Sequence, residues 1–359
     1  MTIVWQKSIA LICILSILFL FVLVGVGTAS ATDAVDVVDI FSDGDLCEAT
    51  VRFNEPASNV IFRFEMLYHG ETVGSGTLDL GPVPEGEVTR LVLWQHELEE
   101  KYYVTNLSVY VDGTIADVAS YPFSHGTVAL PRINIVDLSA DSAKASILLS
   151  PVNVYKPGVV DLTLTLFKDE EAVYTEAMDD VIVLQSQEIQ IDLPLLLESG
   201  SSYTVLLKVH SHDPDIMAAY LTEFTASEDV ELIREDLDVD DYGASISLVG
   251  MSQVPFYGQV RVVLTNDEEQ IVLEDDVDVL TLNKEDTIGF IWDNVPGGDY
   301  NVNIDVVTSE GTILDSYATF VRIPEPVTVE TEIPDKMPGF GFISALFVLV
   351  IAGLFHRRL

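Results

Sequence analysis

One internal period constrains this 359-residue chain more than any other feature. A strand-like start recurs as Ala49-Thr50-Val51, Ala145-Ser146-Ile147 and Ala244-Ser245-Ile246, at separations of 96 and 99 residues. A tyrosine that opens an alternating run recurs as Tyr103, Tyr203 and Tyr300, 100 and 97 residues apart. Each is followed after 20 or 21 residues by Phe123, Phe224 or Phe320. Three markers that keep one spacing of about 97 residues predict tandem copies of a single domain. The expected copies are residues 32–131, 132–230 and 231–323, with a linker over 324–337.

Within each copy the texture is that of short strands. Val60-Ile61-Phe62-Arg63-Phe64, Val160-Asp161-Leu162-Thr163-Leu164 and Val260-Arg261-Val262-Val263-Leu264 occupy one place in the period, each followed by a polar turn. Alternation of this kind buries every second side chain of a strand. Asp112-Gly113 and Glu310-Gly311 are hairpin signals at matching positions. About seven strands in 97 residues, with no competing helical period, resembles the immunoglobulin or fibronectin type III β-sandwich. The resemblance implies that the repeated tyrosine closes a tyrosine corner, its ring in the core and its hydroxyl on nearby backbone. Trp94 and Trp292, nine and eight residues before Tyr103 and Tyr300, are expected in the core as well. The expected fold is all-β: three tandem immunoglobulin-like sandwiches, flanked by an N-terminal signal helix and a C-terminal transmembrane helix. In texture the copies are similar to adhesion-like modules of archaeal and bacterial surface proteins.

The two ends set the expected address. Residues 1–31 carry Lys7, no acidic residue, an apolar run from Ile9 to Val26 and then Ala29-Ser30-Ala31. That order is an export signal with cleavage expected after Ala31, recognised through the small residues Ala29 and Ala31. The run also has the length of a short spanning helix, so retention as an anchor stays open. At the other end Pro338-Gly339-Phe340 opens an uncharged apolar segment to Phe355, closed by His356-Arg357-Arg358-Leu359. Basic residues after an apolar span stay cytoplasmic, which puts the body outside.

The triplet, the hydrophobic segment and the terminal arginines of residues 338–359 resemble the PGF-CTERM sorting signal of archaeal surface proteins. The resemblance implies recognition of Pro338, Gly339 and Phe340 by an archaeosortase, removal of the tail and its replacement by a prenyl-type lipid. The alternative is a plain C-terminal membrane anchor. On either reading the protein is held at the cell surface, outside the cytoplasmic membrane.

Charge restricts the partners. All 58 acidic residues but only 14 of the 17 basic ones fall in residues 32–337, a formal charge of −44. Such a body repels nucleic acid and anionic headgroups. Cell-envelope proteins, surface proteins or glycans remain as partner classes. Cys47 is alone in the body, so no disulfide forms within it, and a small buried side chain is expected there.

The chemistry-bearing motifs are few. Asp236, Asp238, Asp240 and Asp241, in DLDVDDYG, invite a Ca2+ reading, because hard cations take several carboxylates from alternate positions. The loop pattern fails, since Asp241 stands where the turn glycine belongs and Ser247 where the bidentate glutamate belongs. Leu237 and Val239 alternate with the acids as in a half-buried strand. No other cofactor is expected. His210-Ser211-His212-Asp213 offers half of a metal-ligand set, and is read as a polar hairpin turn. Asn106-Leu107-Ser108 is a glycosylation sequon, which requires Asn106 to face solvent. No glycine-rich phosphate loop, nucleophile elbow or zinc motif appears, so the expected protein is not an enzyme. A structural or adhesive surface module is the first reading. A cation- or ligand-binding surface protein, and an enzyme with a site the sequence does not display, are the alternatives.

Overall fold

The structure, a computed structural model, describes residues 34–95, 97–126, 133–153, 156 and 158–325. It is all-β. The segments expected as an export signal, as the linker beyond residue 325 and as a sorting tail lie outside the described residues. Among those described, no helix is long and apolar enough to cross a membrane.

The first seven strands are β1 (Val35–Ser42), β2 (Leu46–Phe53), β3 (Ala57–Tyr68), β4 (Glu71–Val83), β5 (Gly86–Leu93), β6 (Tyr102–Val111) and β7 (Thr114–Ser124). They pair antiparallel as β1-β2-β5 and β4-β3-β6-β7. The next seven repeat the scheme: β8 (Ile133–Ala140), β9 (Lys144–Pro151), β10 (Gly158–Lys168), β11 (Glu171–Val183), β12 (Gln187–Asp192), β13 (Ser202–His212) and β14 (Asp215–Thr225). Here the order is β12-β9-β8 and β11-β10-β13-β14. The last are β15 (Val230–Leu232), β16 (Asp238–Val239), β17 (Gly243–Gly250), β18 (Gly258–Thr265), β19 (Gln270–Asp276), β20 (Glu285–Ile291), β21 (Gly298–Thr308) and β22 (Ile313–Ile323). They form β15-β17-β16, with β20 also pairing β17, and β19-β18-β21-β22. The described residues make two compact units: residues up to Glu231 with Leu248–Gly258 and Val277–Asp286, and Leu232–Ser247 with Gln259–Asp276 and residues from Thr287 on.

The period-two alternation produces the cores. Val60, Phe62 and Phe64, then Val160, Leu162 and Leu164, then Val260, Val262 and Leu264 are all fully buried. Each such side chain taken from water contributes about 1.5–3 kcal/mol. The tyrosines close the cores as expected. Tyr103 donates from its hydroxyl to Glu99 O (3.1 Å) and Tyr300 to Pro296 O (3.1 Å), while Glu198 N donates to Tyr203 Oη (3.1 Å). Tyr103 and Tyr203 stack on Phe123 and Phe224, each at 5.6 Å between ring centres. Trp292 is buried and donates from its indole to Asp240 O (2.8 Å); Trp94 is half-buried against the first core. Cys47 is fully buried, and burial pushes its thiol well above the usual range.

Asp112-Gly113 forms a two-residue turn as its sequence marks, whereas Glu310-Gly311 lies in a longer loop between Thr308 and Ile313, in which Gly311 takes the positive φ (89°). Asp112-Gly113 joins β6 to β7, and His69-Gly70 joins β3 to β4. All four residues have φ between 50° and 83°, the left-handed region that two-residue primed hairpin turns require.

Between the first two copies the sheets run on. Strand β5 pairs β11 at Arg90 and Glu171, so that β1-β2-β5-β11-β10-β13-β14 is one sheet. Leu91 N donates to Glu170 O (3.0 Å), and Arg90 lies 3.2 Å from the Glu171 carboxylate. A separate apolar cluster of Phe41, Leu46, Leu91, Phe167 and Leu206 forms, with Tyr121, Ala172, Ala219 and Leu221 packed against it. Beside it the Lys208 ammonium lies 2.5 Å from Glu48 Oε2 and 3.1 Å from Asp39 Oδ2, with Glu48 only 4% exposed. Burial works against the charged lysine, but Glu48 and Asp39 outweigh it and raise the Lys208 pKa. Burial also raises the Glu48 pKa, against the pull of Lys208. These directions disagree about the pair's charge state, and the lysine decides it, because two carboxylates hold its proton.

Candidate functional site

The acidic run at residues 236–241 resolves into a turn that all three copies share. Asp240 Oδ1 accepts from Tyr242 N (2.8 Å) and Gly243 N (3.0 Å), while Asp240 N donates to Gly243 O (3.0 Å). Asp43 does the same with Asp45 N (2.8 Å), Leu46 N (3.0 Å) and Leu46 O (3.0 Å). Asp141 does so with Ala143 N (2.8 Å), Lys144 N (2.9 Å) and Lys144 O (3.0 Å). An aspartate that satisfies the backbone two and three residues on is a turn-former. Asp236 ends a 3-10 turn (Arg234–Asp236), Asp238 sits exposed on β16, and Asp241 follows the turn aspartate. Among the described residues these four are not gathered into a group with metal-ligand spacing. Replacing Asp240 with Ala is expected to destabilise by about 1–2 kcal/mol, from the two unmatched amides. Asn, whose Oδ1 still accepts, is expected to stay within about 0.5 kcal/mol. Urea melts with and without calcium check both the size and the expected indifference to the ion.

Asn106 points to the outer side of β6, half-exposed, and its Oδ1 accepts from Ser120 Oγ (2.7 Å). Ala29, Ala31, Pro338, Gly339 and Phe340 lie outside the described residues.

A different cluster assembles in the second copy. His210 and His212 are not in the turn, as expected from sequence, but on β13; the turn is Asp213-Pro214, closed by the pair His212 and Asp215. The alternation of β13 explains their direction. Tyr203, Val205, Leu207 and Val209 enter the core, which turns Leu206, Lys208, His210 and His212 to the opposite face. The register of β10 on β13 sets Asp161 against His210.

The polar contacts are specific. His212 Nε2 lies 3.2 Å from both oxygens of Asp161, and His210 Nδ1 lies 3.6 Å from Asp161 Oδ2. His210 Nε2 donates to Asp215 Oδ1 (2.8 Å), since a carboxylate can only accept. Asp180 N donates to Asp161 Oδ1 (2.9 Å). That backbone bond, followed by His212 and His210, holds the Asp161 carboxyl below its ordinary value. The contribution is complete above the ordinary aspartate range and is lost as pH falls through the folded value. One potential ligand atom from each of Asp161, His210 and His212 lies within 4.8 Å of the others.

The sequence motif supplied the two histidines but missed Asp161 and Asp215. A histidine pair two apart shares one face of a strand, and that alternation was the available signal.

No family model matches the chain, and neither does any curated protein. Among solved structures it is similar to native Escherichia coli alpha-2-macroglobulin, at 12% identity over 82% of this chain and 22% of that one, TM-score 0.21. It is also similar to dimeric latent PorU from Porphyromonas gingivalis, at 14% identity over 80% of this chain and 34% of that one, TM-score 0.21. A third is the tetra-tandem repeat in the extending region of a large adhesion protein, at 15% identity over 80% of this chain and 73% of that one, TM-score 0.24. This chain thus spans about a fifth of the alpha-2-macroglobulin, and at these scores none of the three carries an argument about activity.

Proposed function

We propose that this chain is an exported surface protein of the archaeal cell envelope, three tandem immunoglobulin-like sandwiches held at the C-terminus by a membrane helix or by a lipid that replaces it. Its role is structural or adhesive, and catalysis is no part of this reading. One observation carries it: the conspicuous side chains of the chain do the same structural work in each copy. Tyr103, Tyr203 and Tyr300 close the cores, and Asp43, Asp141 and Asp240 form the same turn. A repeated core leaves the outer faces free to vary, and an array built this way carries interaction surfaces away from its anchor. The −44 charge of residues 32–337 favours envelope proteins or glycans over nucleic acid as partners.

The mature protein from its native membrane is expected to begin at Thr32, to lack the apolar tail and to carry a lipid. Intact mass and terminal peptides decide this. Peptides spanning residues 340–355 in the mature protein would replace the sorting reading with a plain anchor. Recovery of the protein in the cytosolic fraction, unlabelled by a membrane-impermeant reagent on whole cells, would overturn the surface reading itself.

A further inference from the structure

The Asp161, His210 and His212 cluster goes beyond that role. We propose that it binds one divalent transition-metal ion of the zinc class, through Asp161 Oδ2, His210 Nδ1 and His212 Nε2. Three features of the geometry converge on this.

The first is spacing. Four-coordinate zinc with bonds of about 2.0–2.1 Å holds its ligand atoms about 3.3 Å apart. Asp161 stands 3.2 Å from His212 Nε2 and 3.6 Å from His210 Nδ1, so both edges at Asp161 are already near that spacing, and the whole set lies within 4.8 Å. The second is orientation. Metal-bound histidines characteristically give their other ring N–H to a carboxylate, which fixes tautomer and ring plane. His210 does this through Nε2 to Asp215 (2.8 Å), leaving Nδ1 as the lone-pair nitrogen facing Asp161. Asp161 is steadied in turn by Asp180 N (2.9 Å). Asp215 is therefore a positioning residue and not a ligand.

The third is where the copies differ. In the first copy the three positions are Ile61, Tyr110 and Asp112; in the third they are Arg261, Val307 and Ser309. Residues that serve the common fold recur, as the tyrosines and turn aspartates do. This set occurs once, on the outer face that the core does not dictate.

The donor set selects the ion. Two imidazoles and a carboxylate suit zinc, nickel or copper, whereas calcium and magnesium require oxygen ligands. Both histidines are about one-third or more exposed, so a fourth coordination position faces solvent and is free for water or for a donor from a partner. The acidic surface raises the local concentration of any dication.

The test is zinc titration of the untagged full chain by calorimetry, in excess calcium so that scattered carboxylates are occupied. One saturable site is expected, with the intense visible absorption of a tetrahedral centre when cobalt(II) is used. Asp161→Asn keeps the acceptor for Asp180 N, and with His212→Ala should weaken binding by 100-fold or more. Asp215→Asn should weaken it about 10–100-fold. Asp238→Asn should leave it unchanged. Melting in chelator verifies that each variant is folded. No saturable zinc binding, or binding that survives in the Asp161→Asn/His212→Ala variant, overturns the assignment.

Discussion

Lys208→Met is expected to destabilise residues 32–337 by about 3–5 kcal/mol, the cost of leaving a buried carboxylate without its counter-ion. Glu48 is 4% exposed and Lys208 11%, and the ammonium at 2.5 Å is the counter-charge that the carboxylate meets there. The double variant Glu48→Gln/Lys208→Met should recover most of that loss, because two desolvated charges add little beyond what they cost to bury. The raised Glu48 pKa fits this: the folded chain holds that proton more readily than the unfolded chain does. The alkaline limb tests the sign. Lys208 has a folded pKa above its ordinary 10.5, so its contribution is complete below that value and is lost as pH rises through the folded pKa. Lys208→Met should therefore flatten stability against pH at the alkaline end. Denaturant melts of the four proteins of the cycle give the coupling directly. A loss below about 1 kcal/mol for Lys208→Met would mean that the pair is solvated and that the first two copies do not close over it.

What the sequence displayed and what it concealed divide along physical lines. Strands, turns and tyrosines were legible, because each depends on residues a few positions apart and each was printed three times. The turn role of Asp240 was legible in principle, through its counterparts Asp43 and Asp141, but a dense run of acids also looks like a cation loop. Only the backbone bonds to Tyr242 and Gly243 separate the two. The His210 cluster needed Asp161, 49 residues earlier, and the register that joins them is fixed by strand pairing across the intervening β11 and β12. Pattern alone does not supply that register. The joint between the first two copies was hidden for the opposite reason. It uses outward positions, which alternation assigns to solvent, and only comparison among copies marks them. Leu206 stands where the other copies have Asn106 and Asn303, and Phe167 where the first copy has Leu67.

Leu206→Ala is expected to cost about 2–5 kcal/mol, the usual price of emptying a packed leucine site. By alternation it is a surface residue, and a surface substitution would stay within about 0.5 kcal/mol. The structure places it fully buried, against Phe41, Leu46, Leu91 and Phe167. Three of its neighbours there, Phe41, Leu46 and Leu91, are carried by strands of the first copy, so the effect is shared across the joint. Asn106→Ala, at the same place in the first copy, should cost about 1 kcal/mol or less, since it loses a single exposed hydrogen bond to Ser120. The mode of unfolding carries the same information. With β5 continuing into β11, the first two copies should melt in one transition, and Leu206→Ala should lower that transition as a whole. If the substitution leaves the midpoint unmoved, or if the two copies melt separately, the outward face of β13 is open to solvent, and the joined sheet does not stiffen this part of the array.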